Sequence, residues 1–355
     1  QLNLPVTPIT DLRVHKDNLI AATSGRSFWI LDDLPLIRQY TPAPPAFTVY
    51  QPANAYLANG GSELNSSDDD VTGTNAFRGV NPANGIVLYY HLPELAKDDV
   101  VTLTIEDANG KPVRTFSSKA VEGFKKWDGG PSAEPTLSKK AGLNRFVWNM
   151  RHATIPGVSG VYIEGSYNGH KAPPGRYRFT FASGKQTAET TGEILANPLY
   201  RVTPAQYREY HEVMSSMERD LTTMHEMVTR LHDRRTQLEA LLKTLPTGGK
   251  FAAVARDGEA LVKKLKAWDD DMVSRRSRAY DDVENYAQKF TANYMFLINA
   301  TESDLPRVNQ GSLDRLEDLG AAWKALKTRA DEMADKELPA LNRRLWELGI
   351  GAIWK

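Results

Sequence analysis

The distribution of proline and glycine along the chain constrains its fold more than any other feature of the sequence. Residues 1–202 hold 16 of the 20 prolines and 18 of the 25 glycines, whereas residues 203–355 hold only four prolines and seven glycines. In the first part, short runs of Val, Ile, Tyr, Phe and Thr lie between these turn-forming residues, as is typical of β-strands. The sequence therefore predicts a β-rich part followed by an α-helical part, joined near residue 203.

The helical part begins with a clear start signal. Thr203 is predicted at the N-cap, Pro204 at the first helical position, and Gln206 at the third, where it completes a capping box. Apolar residues then recur every three or four positions as far as Leu242, which predicts one long helix that ends before Pro246.

Two further apolar stripes follow. The stripe over residues 261–297 predicts one long or kinked helix, and the stripe over residues 313–348 predicts another that bends at Pro339. Each stripe is narrow, so each helix is stable only when packed against its neighbours. Short connections between long helices therefore predict an antiparallel three-helix bundle over residues 203–355.

The composition excludes several classes of protein. Lys plus Arg and Asp plus Glu both number 44, so no net charge favours nucleic acid as a partner. Cysteine is absent, which excludes disulfides, thiolate zinc sites and a cysteine nucleophile. No apolar run approaches the roughly 18 residues of a membrane span. Because the chain begins at Gln1, without a basic and apolar leader, we expect it to be a processed product or a fragment.

Residues 1–39 form a piece that is too short to be a domain, and the Pro-rich linker 40–46 separates it from the rest. Its strands are predicted at 11–14, 19–23 and 27–31. A ladder of this size leaves both edges and an apolar face without partners. We therefore expect this piece to complete a sheet that other material supplies.

The following residues carry signals of a β-sandwich. Asn109–Gly110 is predicted to supply the two positive-φ residues of a type I′ hairpin turn. Phe146 and Trp148 alternate with polar residues, so they share the core face of one strand. A turn at 173–175 precedes a strand with three further aromatic residues on one face, Tyr177, Phe179 and Phe181.

The run from Ile9 to Asp33 has an Asp-Leu-x-Val strand at 11–14 and closes with Trp-Ile-Leu-Asp-Asp at 29–33. It resembles the closing blade of the sortilin-like, BNR-repeat β-propeller proteins of bacteria, although Ser24 stands where that family often has His. The rest of the chain resembles the Ig-like, flagellar-hook-cap-type sandwich and the C-terminal helices that follow such propellers. The motifs that carry this part are Asn81–Gly85, Val101–Arg114, Ala141–Arg151, Pro173–Phe179, Asn197–Thr203 and Leu338–Leu345.

The resemblance implies a multidomain α+β architecture. Residues 1–39 are expected to be closing strands of a propeller blade, residues 40–202 an Ig-like sandwich with a linker and a mobile loop at 57–79, and residues 203–355 the three-helix bundle. It also implies export to the periplasm or the extracellular space of a bacterium. The expected partner is the remaining propeller blades, as a preceding segment or a separate chain. The residues expected at that interface are Leu12, Val14, Ile20, Phe28, Trp29 and Leu31.

No familiar catalytic signature is present. The sequence has no phosphate-binding glycine loop, no dinucleotide fingerprint, no His-Glu-x-x-His, no Gly-x-Ser-x-Gly and no sialidase-type Asp box. This favours a non-catalytic C-terminal module, without a cofactor, that completes and buttresses a propeller. Two alternatives stay open. The chain is part of a secreted glycosidase or other hydrolase with its catalytic carboxylates on blades outside this chain, as the resemblance suggests, or it is an adhesion module that binds a glycan or peptide.

Four groups of residues have both a functional and a structural interpretation. Trp127 and Tyr167 lie in turn-rich segments, where they either bind a ligand by stacking or pack in a core. Asp32–Asp33 has two functional interpretations, cation binding and a role in catalysis, and one structural interpretation, the capping of a turn. Asp68–Asp70 is interpreted as a solvated loop rather than a calcium site, and Asp269–Asp271 as a solvent-exposed helix face.

The first long helix carries histidines and methionines beside its apolar stripe. His225 and His232 are seven residues apart and so lie on one side of the helix, and His211 precedes His225 by 14 residues. Metal ligands on a helix need closer spacing or a second helix, so no metal site is predicted. The methionines between Met214 and Met227 are interpreted as core residues rather than as a peptide-binding groove.

Overall fold

The computed structural model describes residues 4–58, 83–302 and 305–351. The chain is a mixed α/β protein with several sheets, one of them curled into a half-barrel, and helices toward the C-terminus. It divides into two compact units. The first unit lies within residues 1–122, 134–153 and 170–207. The second unit lies within residues 123–133, 154–169 and 208–355.

The predicted boundaries at 39 and 202 stay predictions. Strands of residues 1–39 belong to the same unit as the larger sheets, and two loops of the predicted sandwich belong to the helical unit. Most of the predicted mobile loop 57–79, including Asp68–Asp70, lies outside the described residues.

Three sheets are formed by the strands in the described part of the chain. The strands are β1 (Ile9–His15), β2 (Asn18–Thr23), β3 (Phe28–Leu31), β4 (Thr48–Val49), β5 (Ala55–Tyr56), β6 (Ile86–Leu92), β7 (Val101–Glu106), β8 (Pro112–Ser117), β9 (Gly142–Trp148), β10 (Gly175–Ser183) and β11 (Gln186–Leu195). The sheet orders are β1-β2-β3, β5-β11-β10-β7-β8 and β4-β6-β9. β5 pairs with β11 in parallel, and the other neighbouring strands are antiparallel.

Alternating apolar residues of the two larger sheets form one core in the first unit. Every second residue of β6 and β7 is buried, because successive side chains of a strand point to opposite faces. Trp148 contacts Tyr177 and Phe179 edge-on, with ring centroids 5.1 and 5.8 Å apart. The predicted core faces of Phe146 with Trp148 on β9, and of Tyr177 with its two neighbours on β10, are confirmed.

The predicted type I′ turn between β7 and β8 is wrong. Gly110 has a φ of 76°, but Asn109 is not among the described residues with positive φ. Instead, Oδ1 of Asp107 accepts hydrogen bonds from the backbone N–H groups of Asn109 and Lys111, both at 2.9 Å. An aspartate side chain that binds local amides stabilises a turn by itself, so the turn needs one left-handed residue rather than two.

The helical elements are α1 (Leu34–Gln39), α2 (Pro204–Thr244), α3 (Ala252–Met272), α4 (Asp282–Asn285), α5 (Phe290–Thr301), α6 (Gln310–Glu332) and α7 (Leu338–Glu347). The capping box at the start of α2 is confirmed. The Thr203 N–H donates to Oε1 of Gln206 at 2.9 Å, and the Gln206 N–H donates to Oγ1 of Thr203 at 3.3 Å. The short helix α1 was not predicted from the sequence.

The prediction of one long or kinked helix over 261–297 is wrong. Helix α3 ends at Met272, and α5 begins only at Phe290. Val273 has extended backbone angles, and the carboxylate of Asp282 accepts hydrogen bonds from the N–H groups of Arg278 and Ala279. These side-chain bonds satisfy backbone donors outside a helix, so the chain makes turns between α3 and α5.

The predicted last helix has its irregularity close to the predicted place. A π-helical turn at Met333–Glu337 joins α6 to α7, and Pro339 follows it in the first turn of α7. Proline has no N–H and cannot donate to the carbonyl four residues before it. A change of helical hydrogen bonding directly before a proline accommodates that loss.

The interpretation of Asp269–Asp271 as a solvent-exposed face is wrong for its first residue. Asp269 is 2% exposed, and its two oxygens accept hydrogen bonds from Nε and Nη2 of Arg275 at 2.5 and 2.6 Å. Asp270 and Asp271 are exposed, and Asp271 pairs with Arg329 at 2.9 Å. The buried carboxylate is tolerated because a bidentate arginine satisfies it.

Candidate functional site

The three-stranded sheet β1-β2-β3 has apolar residues on both faces. The register places Leu12 beside Ala21 and Val14 beside Leu19. It also places Ala21 beside Trp29, and Leu19 beside Leu31. Partners opposite each other in antiparallel strands share a face. One face of the sheet is therefore apolar across all three strands; we call it face A, formed by Leu12, Val14, Leu19, Ala21, Trp29 and Leu31.

The opposite face, face B, is apolar on two of the three strands. Ile20 lies beside Ile30, and Ala22 lies beside Phe28. On β1, face B carries Asp11 and Arg13 instead. Phe28 is 72% exposed and Ile30 is 59% exposed, although both are large apolar residues within a strand. Exposed apolar residues that are contiguous on a surface mark sites of interaction.

Both edges of this sheet are open in the described part of the chain. β1 and β3 each pair with β2 only. β1 carries charged residues that oppose further pairing, such as Asp11 and Arg13, but β3 has the sequence Phe-Trp-Ile-Leu without any charge. An uncharged edge strand with free N–H and C=O groups is suited to pairing with another strand.

The structure places the predicted interface residues as follows. Leu12, Val14 and Phe28 are 58, 60 and 72% exposed. Ile20, Trp29 and Leu31 are half-buried, and the Trp29 Nε1–H donates to the carbonyl of Arg26 at 2.8 Å. The sequence analysis missed Ile30. The alternation of Phe28 with Ile30 on a short strand was the signal that could have identified it.

A cleft of about 620 Å³ in the first unit is lined by Asn18 at the start of β2, by residues of the turns beside the small sheet, and by Val87 and Tyr89 of β6. Asp33 lies in it with left-handed backbone angles, φ 63° and ψ 30°, at the N-cap of α1. Its side chain makes no capping bond. Instead, Oδ2 of Asp33 accepts a hydrogen bond of 2.7 Å from the hydroxyl of Tyr89. The turn-capping interpretation therefore fits the backbone of Asp33 but not its carboxylate.

The cleft alters the titration of its side chains. Burial, and then the charge of Asp33, raises the pKa of Asp32 above its ordinary value. Burial, and then the hydrogen bond to Asp33, raises the pKa of Tyr89 to about 12. Tyr50 also lines the cleft, and its buried hydroxyl has no hydrogen-bond partner among the described residues. These groups can bind a cation or a hydroxylated molecule, and a carboxylate with a raised pKa can exchange protons.

Trp127 and Tyr167 lie in the second unit, close to one glycine. A Cβ atom on Gly157 would lie 2.8 Å from the Trp127 ring and 3.2 Å from the Tyr167 ring. Tyr167 is only 4% exposed and belongs to the core of this unit, so its ring has no open face for stacking. Trp127 is half-buried, and its Nε1–H donates to the carbonyl of Val161 at 3.0 Å. The structure thus favours the packing interpretation for Tyr167.

The histidines of α2 make different contacts. Nδ1 of His225 lies 2.6 Å from the carbonyl oxygen of Pro156, and Nδ1 of His232 lies 3.0 Å from Nη2 of Arg235. His211 contacts the hydroxyl of Ser215 at 3.5 Å.

Two histidines that the sequence analysis did not consider stack in the first unit. The rings of His152 and His170 have centroids 4.3 Å apart, at an angle of 14°. His170 is fully buried, and burial, together with the charge of Arg151, lowers its pKa to about 3. A neutral imidazole is the form of histidine that binds metal ions. Their sequence separation of 18 residues explains why no spacing motif indicated them.

Comparison of the chain with protein-family models, with curated proteins and with solved structures finds no match. Among the helices of the described residues, none combines the length and the apolar character needed to cross a bilayer.

Proposed function

We propose that this chain is a non-catalytic module of an exported, sortilin-like BNR-propeller protein, and that its sheet β1-β2-β3 docks onto propeller blades. The blades belong to a preceding segment or to a separate chain. In this proposal the two larger sheets form an Ig-like sandwich and the helices a three-helix bundle, and both buttress the propeller. The exported location, periplasmic or extracellular, is part of the same proposal.

The observation that carries this proposal is the exposure of apolar side chains on both faces of one small sheet. A sheet at the surface of a protein normally has one apolar face and one polar face. In a propeller, each blade packs against the next, so both faces of a blade are covered. Faces A and B have the residue types that such packing requires, with Leu12 and Val14 on one and Phe28 and Ile30 on the other.

Strand addition is the second element of the proposal. The outer edge of β3 is free among the described residues and carries no charge. Pairing with a further strand satisfies its backbone groups, and packing buries its side chains. Full burial of a side chain such as Phe28 or Ile30 contributes about 1.5–3 kcal/mol, and several such residues offset much of the cost of association.

A second candidate function rests on the cleft that contains Asp32 and Asp33. Carboxylates beside Tyr50 and Tyr89, one of them with a raised pKa, are suited to binding a hydroxylated ligand such as a glycan. This supports the alternatives of a secreted hydrolase or an adhesion module. We rank it second, because the sequence carries no glycosidase signature such as a sialidase-type Asp box.

The test of the first proposal uses tagged chains that are expressed in the source cells and recovered for native mass spectrometry. We expect the unchanged chain in an assembly, or in a longer polypeptide, that contains blade-type repeats. The double variant Leu12→Asp/Phe28→Asp should lose this association. Leu199→Asp is the matched control, because Leu199 is 83% exposed but lies outside the sheet. Recovery of the chain alone, or as a multiple of its own 39.6 kDa mass, would contradict the proposal.

A further inference from the structure

A cleft of about 520 Å³ in the second unit runs along one face of helix α2. Its wall includes the loop residues Pro156 and Gly157, and its other residues come from three turns of the helix. Its volume lies in the range of pockets that bind small molecules. The cleft has no part in the proposed docking of the sheet, since its residues all belong to the helical unit. The helix residues that line it are His225, Glu226, Thr229, Arg230, Asp233, Arg234 and Gln237.

His225 lines this cleft and has a hydrogen-bond acceptor that is not satisfied among the described residues. Its side chain is 1% exposed, and its Nδ1 lies 2.6 Å from the carbonyl oxygen of Pro156. A carbonyl oxygen only accepts, so Nδ1 carries the proton and donates it. Burial lowers the pKa of His225 to about 4, so the ring is neutral at pH 7 and Nε2 has a free lone pair. Nε2 is buried and has no hydrogen-bond partner among the described residues.

Arg234 lines the same cleft and has a donor that is not satisfied within the described ranges. Its Nε is buried and has no hydrogen-bond partner in the described part of the chain. Burial, and then the charge of Arg230 one turn earlier, lowers the pKa of Arg234, whereas Asp335 raises it. In the described residues, no carboxylate lies within 4 Å of either guanidinium. Two like charges one turn apart repel each other, and an anion between them would relieve the repulsion.

These unmet groups define the chemistry of an occupant. Nε2 of His225 requires a partner that donates a hydrogen bond. The two arginines require oxygen atoms that accept hydrogen bonds, and a carboxylate matches the guanidinium geometry best. Glu226 and Asp233 also line the cleft, so its formal charge is balanced and a simple anion has no net attraction to it. The occupant must therefore bring a donor as well as a negative charge.

We propose that this cleft binds a small carboxylic acid with an O–H or N–H group beside its carboxylate, that is, a hydroxy acid or an amino acid. The carboxylate accepts from Arg230 and Arg234, and the neighbouring O–H or N–H donates to Nε2 of His225. The ammonium group of an amino acid also forms ion pairs with Glu226 and Asp233, which line the cleft. An ordered water at Nε2 is the competing explanation of the unpartnered nitrogen, and it predicts no selectivity among acids.

The experiment compares three four-carbon dicarboxylates by isothermal titration calorimetry at about pH 7.5 and constant ionic strength. Succinate has no donor, tartrate adds hydroxyl groups, and aspartate adds an ammonium group. We expect tartrate or aspartate to bind at least about tenfold more tightly than succinate, because only they satisfy the imidazole. Their difference identifies which of the two donors the cleft takes. Equal affinity of all three acids, or no binding of any, would overturn the proposal.

Variants assign the effect to the cleft. His225→Asn keeps an N–H that can reach the Pro156 carbonyl but has no Nε2, so it should remove the preference over succinate. Arg234→Gln should weaken binding of all three acids by about tenfold or more. Arg219→Gln is the matched control, because Arg219 is an exposed arginine of the same helix outside the cleft.

Spectroscopy keeps the test decisive if a variant is poorly folded. In the unchanged protein, the ¹⁵N resonance of Nε2 of His225 should shift on addition of the tighter ligand, whereas that of Nδ1 should stay, because its bond to Pro156 is kept. Binding that leaves the Nε2 resonance unchanged would contradict the role of His225.

Discussion

Two sheets of the first unit differ in what covers their apolar residues. In β6, Ile86, Leu88 and Tyr90 alternate with half-buried residues and are fully buried. In β1, Leu12 and Val14 also occupy alternate positions, but they are 58 and 60% exposed. An apolar pattern shows which face of a strand is suited to burial, but it does not show whether residues of the same chain bury that face. The larger sheets cover each other, whereas the small sheet has its faces open among the described residues.

The comparison predicts opposite results for two phenylalanines on strands. Phe179 of β10 is 0% exposed, and Phe28 of β3 is 72% exposed. Phe179→Ala should lower the free energy of unfolding by about 3–5 kcal/mol, because it leaves a cavity among aromatic rings. Phe28→Ala should change it by less than about 0.5 kcal/mol. Urea denaturation of the isolated chain measures both changes. If Phe28→Ala lowered the free energy of unfolding nearly as much as Phe179→Ala, the proposed difference in burial between the two sheets would be contradicted.

The same contrast applies to ion pairs. Arg114 of β8 is buried, and its Nη2 lies 2.6 Å from Oε2 of Glu134. On β1, Arg13 and Asp11 form a pair of 3.6 Å with both side chains largely exposed. Glu134→Gln should cost about 1.5–3 kcal/mol, because it weakens a charge-assisted bond at a buried cation. Asp11→Asn should cost at most about 0.5 kcal/mol.

Denaturation at two salt concentrations checks this prediction. The effect of Glu134→Gln should persist in high salt, since buried charges are screened weakly. Equal losses for the Glu134 and Asp11 variants would contradict the difference in burial.

The smallest predicted effect concerns acid stability. Because burial lowers the pKa of His170 to about 3 in the folded state, the unfolded chain binds a proton near pH 6.5 that the folded chain does not. Its contribution to stability is therefore complete above pH 6.5 and decreases as the pH falls toward 3. Between about pH 7.5 and 5.5 the free energy of unfolding should fall by roughly 1 kcal/mol from this group. His170→Asn should reduce the pH dependence by that amount, as measured by urea denaturation at the two pH values.

Local signals predicted much of the fold. The Thr203–Gln206 capping box and the alternation of Phe146 with Trp148 depend on residues close in sequence, and both are found in the structure. The hairpin turn at Asn109–Gly110 was predicted at the correct place with the wrong conformation. The side chain of Asp107 competes there with the intrinsic preference of Asn-Gly.

The remaining errors arose where partners lie farther away or where the helical pattern continued by chance. The apolar spacing of 261–297 does not reveal that the carboxylate of Asp282 accepts a hydrogen bond from a backbone amide outside a helix. It also does not reveal that the side chain of Arg275 donates to the carboxylate of Asp269. The cleft at His225 depends on Pro156, which precedes it by 69 residues. No spacing rule indicates such a contact, so this site could be found only from the structure.

The most direct test of the docking proposal is amide hydrogen exchange over β1 and β3, measured in the isolated chain and in the native material from source cells. The outward amides of these edge strands should exchange rapidly in the isolated chain, while those of β6, which lies between β4 and β9, exchange slowly. In the native material we expect exchange in β1 or β3 to slow by about 100-fold or more, with β6 unchanged. Equally rapid exchange in both samples would contradict the proposal that this sheet docks onto a partner.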